Sequence, residues 1–290
     1  HFGLGKAFED IGDYAQAFQH FAQGNALRKA NSPYQFDADK DRHTLAATFS
    51  RDYLQQHQGS GHQSITPIFI TGLPRSGKTV LETLLARHPQ LSAGGESDEF
   101  QQLAMETLVR QTGKGFPDGI RELEAPAFAE IGQTYADHMR QRLGRVDYVT
   151  NTSPGTASHI GMIRLCLPGA RVILCKREAR DLCTEIYKKN LAPEHYYSHD
   201  LIELGNYYLL QRQLMEHWCK VLPDYIHVVQ FEELLQEPEK QVNALLDFCG
   251  LPRDANVLET ATLPTTENST GGWQHYREPL KPLFELLESS

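Results

Sequence analysis

The chain has 290 residues, of which 40% are hydrophobic and 22% are charged, as in an ordinary globular protein. Its formal net charge of −9 argues against nucleic acid as a partner, so any anion site must be built locally. No apolar run is long enough to span a bilayer and no signal peptide is visible, so we expect no membrane partner. The five cysteines form no CxxC pair, which favours reduced thiols in the cytoplasm.

The first 30 residues follow a helical pattern in which large and small residues alternate. Leu4-Gly5 precedes Phe8, a turn is marked by Gly12, and Phe21 is followed by Gly24. These offsets resemble a tetratricopeptide repeat, although an ordinary helical hairpin would also fit. Such a unit cannot bury its apolar face alone and should stack on another element. Because the chain starts at His1 in the middle of this pattern, we expect it to be a fragment of a longer polypeptide.

Polar, turn-rich sequence follows, and a helix is predicted over Arg42–Gln56. The segment His57–Ser64 is rich in Gly, Ser, Gln and His and indicates a linker. We therefore divide the chain into residues 1–60, a tetratricopeptide-like segment, and residues 61–290, a second domain.

Beyond the linker, apolar strands alternate with helical patterns. This order predicts an α/β fold with a parallel sheet flanked by helices and with ligands at the carboxyl ends of its strands. The predicted strands are Ile65–Thr71, Asp147–Thr150, Arg171–Cys175 and Ile226–Phe231. The predicted helices are Gly77–Arg87, Asp98–Gln111, Ala127–Leu143, Thr156–Cys166, Arg180–Asn190, His199–Val221 and Glu239–Cys249.

The first of these strands leads into Gly72-Leu73-Pro74-Arg75-Ser76-Gly77-Lys78-Thr79, which fits the phosphate-binding P-loop pattern GxxxxGK[ST]. Glycines let successive backbone N–H groups point at an anion, the helix start adds partial positive charge, and Lys78 adds a full charge. Taken alone, the loop suggests an ATPase or kinase, which needs an acidic Mg²⁺ ligand at the end of another strand. The only candidates are Glu232 and Glu233, so a Mg²⁺-dependent kinase is the weaker alternative.

Several longer stretches resemble the bacterial sulfotransferases that carry tetratricopeptide repeats and, more distantly, the tyrosylprotein sulfotransferases. They are the segment from Pro67 to Gly77, Leu84-Leu85-x-x-His88-Pro89, Gly94-Gly95-Glu96, Leu167 to Asp181, Leu204-Gly205-x-Tyr207-Tyr208, Phe231-Glu232-Glu233-Leu234, and Ser269 with Gly271 and Trp273. The resemblance implies transfer of a sulfuryl group from 3′-phosphoadenosine-5′-phosphosulfate to a hydroxyl or amine, without a metal. The acceptor, a small molecule or a protein or peptide, is not indicated, and the helical repeat suggests a protein partner.

The resemblance also assigns roles by position. Arg75, Ser76, Gly77, Lys78 and Thr79 are expected to hold the 5′-phosphosulfate. Arg177 and Ser269 are expected to hold other parts of the donor, with Arg177 on its 3′-phosphate. Glu96 is expected to be the catalytic base, although beside Asp98 it would also fit as a solvated acid at a helix start. Lys78 is a second catalytic candidate.

Three positions depart from the family pattern. Lys78 stands where relatives have threonine, Thr152 where they have a lysine, and Glu185 where they have a 3′-phosphate-binding serine. The first two departures suggest that Lys78 replaces the lost lysine at the same oxygen. Glu185 would repel a phosphate unless it is compensated, or it would form an exposed ion pair with Lys189. A catalytically degenerate nucleotide-binding or scaffold protein is therefore the second hypothesis.

Two further clusters are open to more than one interpretation. Arg180 and Asp181 would serve equally as a second phosphate contact or as an ion pair at a helix start. His195 and His199 have the spacing of a metal-binding pair but lack a further ligand, so acceptor contact or packing is favoured and no metal is expected.

Overall fold

The computed structural model describes residues 1–31, 44–144, 147–257 and 270–288. Its helices are α1 (Phe2–Asp10), α2 (Tyr14–Ala30), α3 (Arg51–Gln56), α4 (Lys78–Leu85), α5 (Glu99–Thr112), α6 (Ala125–Leu143), α7 (Thr156–Cys166), α8 (Ala179–Tyr187), α9 (Leu201–Val221), α10 (Phe231–Gln236), α11 (Pro238–Cys249) and α12 (Lys281–Glu288). Its strands are β1 (Thr66–Thr71), β2 (Leu91–Ser92), β3 (Tyr148–Asn151), β4 (Arg171–Lys176) and β5 (Ile226–Gln230). Short 3₁₀ helices cover Ile120–Glu122, Pro193–His199 and Gly272–Tyr276.

The chain forms two compact units. The sheet unit comprises Lys40–Lys176 and Leu214–Leu263, and the helical unit comprises His1–Asp39, Arg177–Gln213 and Pro264–Ser290. The proposed boundary near residue 60 stays a prediction. None of the helices in the described part of the chain is long and apolar enough to cross a membrane.

A five-stranded parallel sheet with the order β2-β3-β1-β4-β5 forms the centre of the sheet unit. Strand β1 lies at the centre of the sheet. Because successive side chains of a strand point to opposite faces, its run of apolar residues contributes to the core on both faces. Phe69 packs with helices α5, α6 and α7 on one face, whereas Ile68 and Ile70 pack with α4 and α11 on the other. The predicted α/β fold is confirmed.

Helix α3 is shorter than the helix predicted for this part of the chain. The predicted helix Arg42–Gln56 does not run uninterrupted, because Ser50 adopts an extended conformation and starts a new helix. Its hydroxyl oxygen accepts a hydrogen bond from the backbone N–H of Tyr53 at 3.3 Å, which is N-cap geometry.

The helical unit begins with an α1–α2 hairpin, as the pattern of large and small residues predicts. Gly5 lies directly against the ring of Phe21, and a Cβ there would stand 2.4 Å from a ring carbon. The turn between the helices contains Gly12 with φ +80°. The hairpin packs on the rest of its unit, since Asn25 donates to the carbonyl oxygen of Tyr187 at 2.8 Å. Its identity as a tetratricopeptide repeat stays a prediction.

Candidate active site

The loop between β1 and α4 has the backbone of an anion-binding turn. Gly72 and Gly77 have φ values of +146° and +102°, and Arg75 has φ +69°. A Cβ at Gly72 would stand 2.6 Å from the carbonyl oxygen of Cys175, and one at Gly77 would stand 2.4 Å from the Phe231 ring. Only glycine fits these two positions, so the loop conformation is fixed by the sheet unit itself.

Ser76 lies inside this loop and is 1% exposed. Within the described residues its hydroxyl oxygen is buried and has no hydrogen-bond partner. A buried hydroxyl that is not used within the protein is suited to donate to an oxygen of a bound anion. Arg75 and Thr79, the flanking candidates, are both exposed. The loop therefore presents one unpaired buried donor and two accessible side chains.

Lys78 is the first residue of α4 and is only 7% exposed. Its ammonium group donates to the carbonyl oxygen of Thr152 at 3.3 Å. Burial lowers the pKa of Lys78 from its ordinary value of 10.5, while the negative charges of Glu96 and Glu82 oppose that shift. The lysine is thus held between the loop and the end of β3.

The segment that carries Glu96 is fixed along the carboxyl end of β3. The backbone N–H of Thr152 donates to the carbonyl oxygen of Gly95 at 3.0 Å. The amide of Asn151 donates to the carbonyl oxygen of Ser97 at 2.9 Å. The side chain of Glu96 is exposed, which leaves its carboxylate accessible to an acceptor molecule. The structure therefore brings Glu96, Lys78 and the loop together, as the sequence predicts.

Glu82 is a site residue that the sequence does not reveal. Its carboxylate accepts the backbone N–H of Gly95 at 3.1 Å and the hydroxyl of Thr150 at 2.6 Å. These partners lie 13 and 68 positions away along the chain. Only its proximity to the loop, four residues after Lys78 on the same helix face, would have indicated a role.

The predicted donor-binding residues outside the loop belong to other parts of the chain. Arg177 directly follows Lys176, the last residue of β4, and belongs to the helical unit. Ser269 lies outside the described residues. Their assignment to the donor stays a prediction.

Glu185 is paired, but not with the predicted partner. The ammonium group of Lys188, not Lys189, lies 2.5 Å from its carboxylate. Helix α8 ends at Tyr187, so the i,i+4 geometry expected for Lys189 does not extend that far. Lys188 also contacts Glu9 at 2.6 Å, and Glu9 accepts the hydroxyl proton of Tyr276 at 2.8 Å. Lys188 therefore offsets part of the negative charge of Glu185, since it shares its single positive charge between Glu185 and Glu9.

The pair Arg180 and Asp181 ties the C-terminal segment to α8. Asp181 is 4% exposed and accepts the backbone N–H groups of Gly271 at 2.6 Å and Trp273 at 3.2 Å. The guanidinium of Arg180 lies 4.0 Å from the centre of the Trp273 ring and donates to Glu178 at 2.8 Å. Asp181 is thus engaged by backbone donors, Arg180 pairs with Glu178 at the helix start, and a phosphate contact by this pair stays a prediction.

The two histidines of the 193–199 segment face different partners. A ring nitrogen of His195 lies 3.1 Å from the Tyr197 hydroxyl, and one of His199 lies 3.3 Å from the amide oxygen of Asn25. Among the residues that the structure describes, no group of three or more His, Cys, Asp or Glu side chains is placed to hold a metal ion.

Comparison with known proteins identifies relatives across most of the chain. A family model described as the sulfotransferase family matches residues 67–255. An uncharacterised protein of Aquifex aeolicus (strain VF5) is 30% identical over 99% of this chain and 41% of its own length. The protein-tyrosine sulfotransferase A of Caenorhabditis elegans is 24% identical over 80% of this chain and 64% of its own length. The chain thus spans less than two thirds of either relative.

Among solved structures, the sulfotransferase domain of the Synechococcus PCC 7002 olefin synthase is similar to this chain. The TM-score is 0.53 and the identity 18%, covering 79% of this chain and 95% of that domain. At this identity the likeness supports the fold.

Proposed function

This chain belongs to the sulfotransferase family, and we propose on that basis that it transfers a sulfuryl group from 3′-phosphoadenosine-5′-phosphosulfate to a hydroxyl or amine of an acceptor. The observation that carries the proposal is the P-loop with its unpaired buried Ser76 hydroxyl, next to Lys78 and Glu96. When bound, the donor supplies the sulfuryl group and is released as adenosine 3′,5′-bisphosphate.

The residues of the loop fit the phosphosulfate end of this donor. The Ser76 hydroxyl, the N–H groups at the start of α4 and the exposed Arg75 are donors suited to its oxygens. Gly77 would let an anion approach the backbone closely. Arg177 would bind the 3′-phosphate, as the family pattern implies, and Ser269 would assist it.

Two side chains would perform the chemistry. Glu96 would remove the proton of the acceptor hydroxyl or amine as its oxygen or nitrogen bonds to sulfur. Lys78 would stabilise the negative charge that develops on the bridging oxygen as the old sulfur–oxygen bond breaks. Burial lowers the pKa of Lys78, and the negative charge of Glu96 is close enough to oppose that shift.

The position of Lys78 explains how the site would work without the family's lysine at position 152. Its ammonium group lies 3.3 Å from the Thr152 backbone carbonyl oxygen, so the Lys78 cation lies beside the position where relatives have their lysine. We therefore propose that Lys78 takes over the role of the missing lysine.

The pairing of Glu185 with Lys188 weakens an objection to 3′-phosphate binding. A lone carboxylate at this place would repel a phosphate, whereas Lys188, which Glu185 shares with Glu9, lies 2.5 Å away and offsets part of its charge. This favours an active donor site over a degenerate scaffold.

The acceptor class, and a protein partner for the α1–α2 hairpin, are also proposals. An exposed Glu96 accommodates a small phenol and a peptide tyrosine alike. We place the protein in a reducing compartment such as the cytoplasm, in agreement with its five free thiols.

Calorimetric titration with adenosine 3′,5′-bisphosphate tests the donor site. We expect binding of similar affinity in EDTA and in Mg²⁺, lost in the variant Arg75→Ala/Ser76→Ala and unchanged in the exposed control Glu106→Gln. Sulfuryl transfer from radiolabelled donor to phenols and to tyrosine peptides then tests the reaction. No binding would favour the scaffold, and binding only with Mg²⁺ and ATP would favour the kinase.

A further inference from the structure

Glu82 joins three elements that meet around the candidate active site. It lies on α4, four residues after Lys78, and is partly buried. One carboxylate oxygen accepts both the Gly95 N–H at 3.1 Å and the Thr150 hydroxyl at 2.6 Å. The same Thr150 hydroxyl oxygen accepts the Gly94 N–H at 3.2 Å. Two consecutive amides of the segment before Glu96 therefore depend on Glu82, directly or through Thr150.

The position of Glu96 depends on this backbone. In the described part of the chain, no hydrogen bond is found to the Glu96 carboxylate, which is exposed. Gly95 holds a left-handed conformation with φ +65°, and a Cβ at this position would meet no atom within 4 Å, so no side-chain packing limits the local backbone. A flexible glycine directly before the base would let Glu96 move unless its hydrogen bonds hold it.

We propose that Glu82 is a positioning residue for the transfer reaction: it holds the Gly94-Gly95 backbone so that the Glu96 carboxylate stays beside Lys78. This inference rests on the proposed function. A group held within a fraction of an ångström of its working geometry reacts far faster than one that samples several positions. Glu82 would therefore act on the rate of transfer without touching donor or acceptor.

Three variants separate the hydrogen bonds from the charge. Glu82→Gln keeps a carbonyl oxygen that can accept both bonds, whereas Glu82→Ala removes them. Thr150→Val removes the hydroxyl link and keeps the side-chain shape. Glu106→Ala removes an exposed carboxylate on α5 and serves as the matched control.

We would measure amide hydrogen exchange of residues 94–97, the affinity for adenosine 3′,5′-bisphosphate, and kcat and KM with the best phenol or tyrosine peptide. In Glu82→Ala and Thr150→Val, we expect exchange at Gly94 and Gly95 to be about tenfold faster. In the same variants, we expect kcat to fall by about 10- to 100-fold while the bisphosphate affinity changes by less than about threefold. Glu82→Gln should stay near wild type in both measurements, as should Glu106→Ala.

Unchanged exchange or unchanged kcat in Glu82→Ala would overturn the inference, as would a loss of bisphosphate affinity equal to the loss of kcat. A fall of kcat in Glu82→Gln as deep as in Glu82→Ala, with slow exchange retained, would assign the effect to charge and also overturn it. If the wild type binds the bisphosphate but transfers no sulfuryl group, the proposed function fails and the catalytic role of Glu82 fails with it. The exchange rates then still decide whether Glu82 holds the segment.

Discussion

The ammonium nitrogen of Lys78 lies 3.3 Å from the carbonyl oxygen of Thr152. These are two of the positions at which the chain departs from its family's pattern, and they are in direct contact. If Lys78 replaces the lysine that relatives have at position 152, exchanging the two residues should preserve the chemistry.

The single variant Lys78→Thr should lower kcat by about 100-fold or more, since it removes a cation that stabilises developing charge. The double variant Lys78→Thr/Thr152→Lys should recover at least tenfold of that loss, about 1.4 kcal/mol in activation free energy. Steady-state kinetics with a phenol acceptor checks both. The variant Thr152→Lys alone is the control, and a double variant no better than the single one would contradict the replacement.

Lys78 should also make stability depend on pH. Burial lowers its pKa in the folded chain below the ordinary value of 10.5. Between the pKa of the folded chain and that of the unfolded chain, the unfolded chain therefore binds more protons. The free energy of unfolding should therefore rise with pH as it approaches 10.5. Lys78→Met removes the cost of burying a charged ammonium group, so the variant should be about 1 kcal/mol more stable than wild type near neutral pH.

That advantage should shrink as pH approaches about 10. Urea unfolding of wild type and Lys78→Met at about pH 7 and pH 10 measures it. A difference in unfolding free energy between the two proteins that is constant or widens with pH would refute the lowered pKa of Lys78. Lys114→Met, at an exposed lysine, is the control for a general effect of removing positive charge.

Glu96→Gln should abolish most turnover without weakening donor binding. Removing a general base typically costs about 10²- to 10⁴-fold in rate. Because the Glu96 side chain is exposed, the free energy of unfolding should change by less than about 0.5 kcal/mol. Kinetics, bisphosphate titration and thermal unfolding together test this. A variant with wild-type kcat would assign Glu96 to the solvated start of a helix instead.

Gly77→Ala should destabilise the loop between β1 and α4, because it introduces both backbone strain and a steric clash. The φ of +102° strains any side chain, and the new Cβ would stand 2.4 Å from the Phe231 ring. We expect a loss of about 2–4 kcal/mol in unfolding free energy and loss of bisphosphate binding. Gly59→Ala has a similar φ of +85° with nothing within 4 Å, so it should cost only about 1 kcal/mol. Equal losses in the two variants would show that the Phe231 contact is unimportant.

The family pattern implies that Glu185 lies near the 3′-phosphate of the donor, and the ion network around Lys188 offers a test of that proposal. Lys188→Met removes the cation that Glu9 and Glu185 share, and we expect about tenfold weaker bisphosphate binding from the added net negative charge. Adding Glu185→Gln to Lys188→Met should restore the affinity. Calorimetry on the single and double variants tests this, and an affinity unaffected by Lys188→Met would place Glu185 away from the phosphate.

Local patterns in the sequence predict most of the fold. The strand Thr66–Thr71 and helix Lys78–Leu85 follow from an apolar run, glycines with special φ and a helix start, all within 20 residues. The two-residue strand Leu91–Ser92 is too short to show any alternation, and the helix Lys281–Glu288 was not predicted. The helix break at Ser50 falls inside a continuous helical pattern, although serine is a common N-cap.

The candidate site was only partly predictable for a different reason. Gly72–Thr79 is one continuous motif, and Glu96 follows from the family's pattern. Glu82 acts through partners that come close only after the sheet has formed. The choice of Lys188 over Lys189 depends on the residue at which α8 ends, and helix ends are the least certain part of a sequence-based prediction.

The hydrogen bonds from Gly271 and Trp273 to the buried carboxylate of Asp181 affect the order in which the two units fold during translation. They join positions 90 and 92 residues apart, in a unit that also includes the first helices. While a ribosome is still adding residues before 271, Asp181 has no access to these donors. We therefore expect the helical unit to complete its packing late, after the residues of the sheet unit have left the ribosome. Stalled nascent chains probed by protease should show a protected sheet before a protected α1–α2 hairpin.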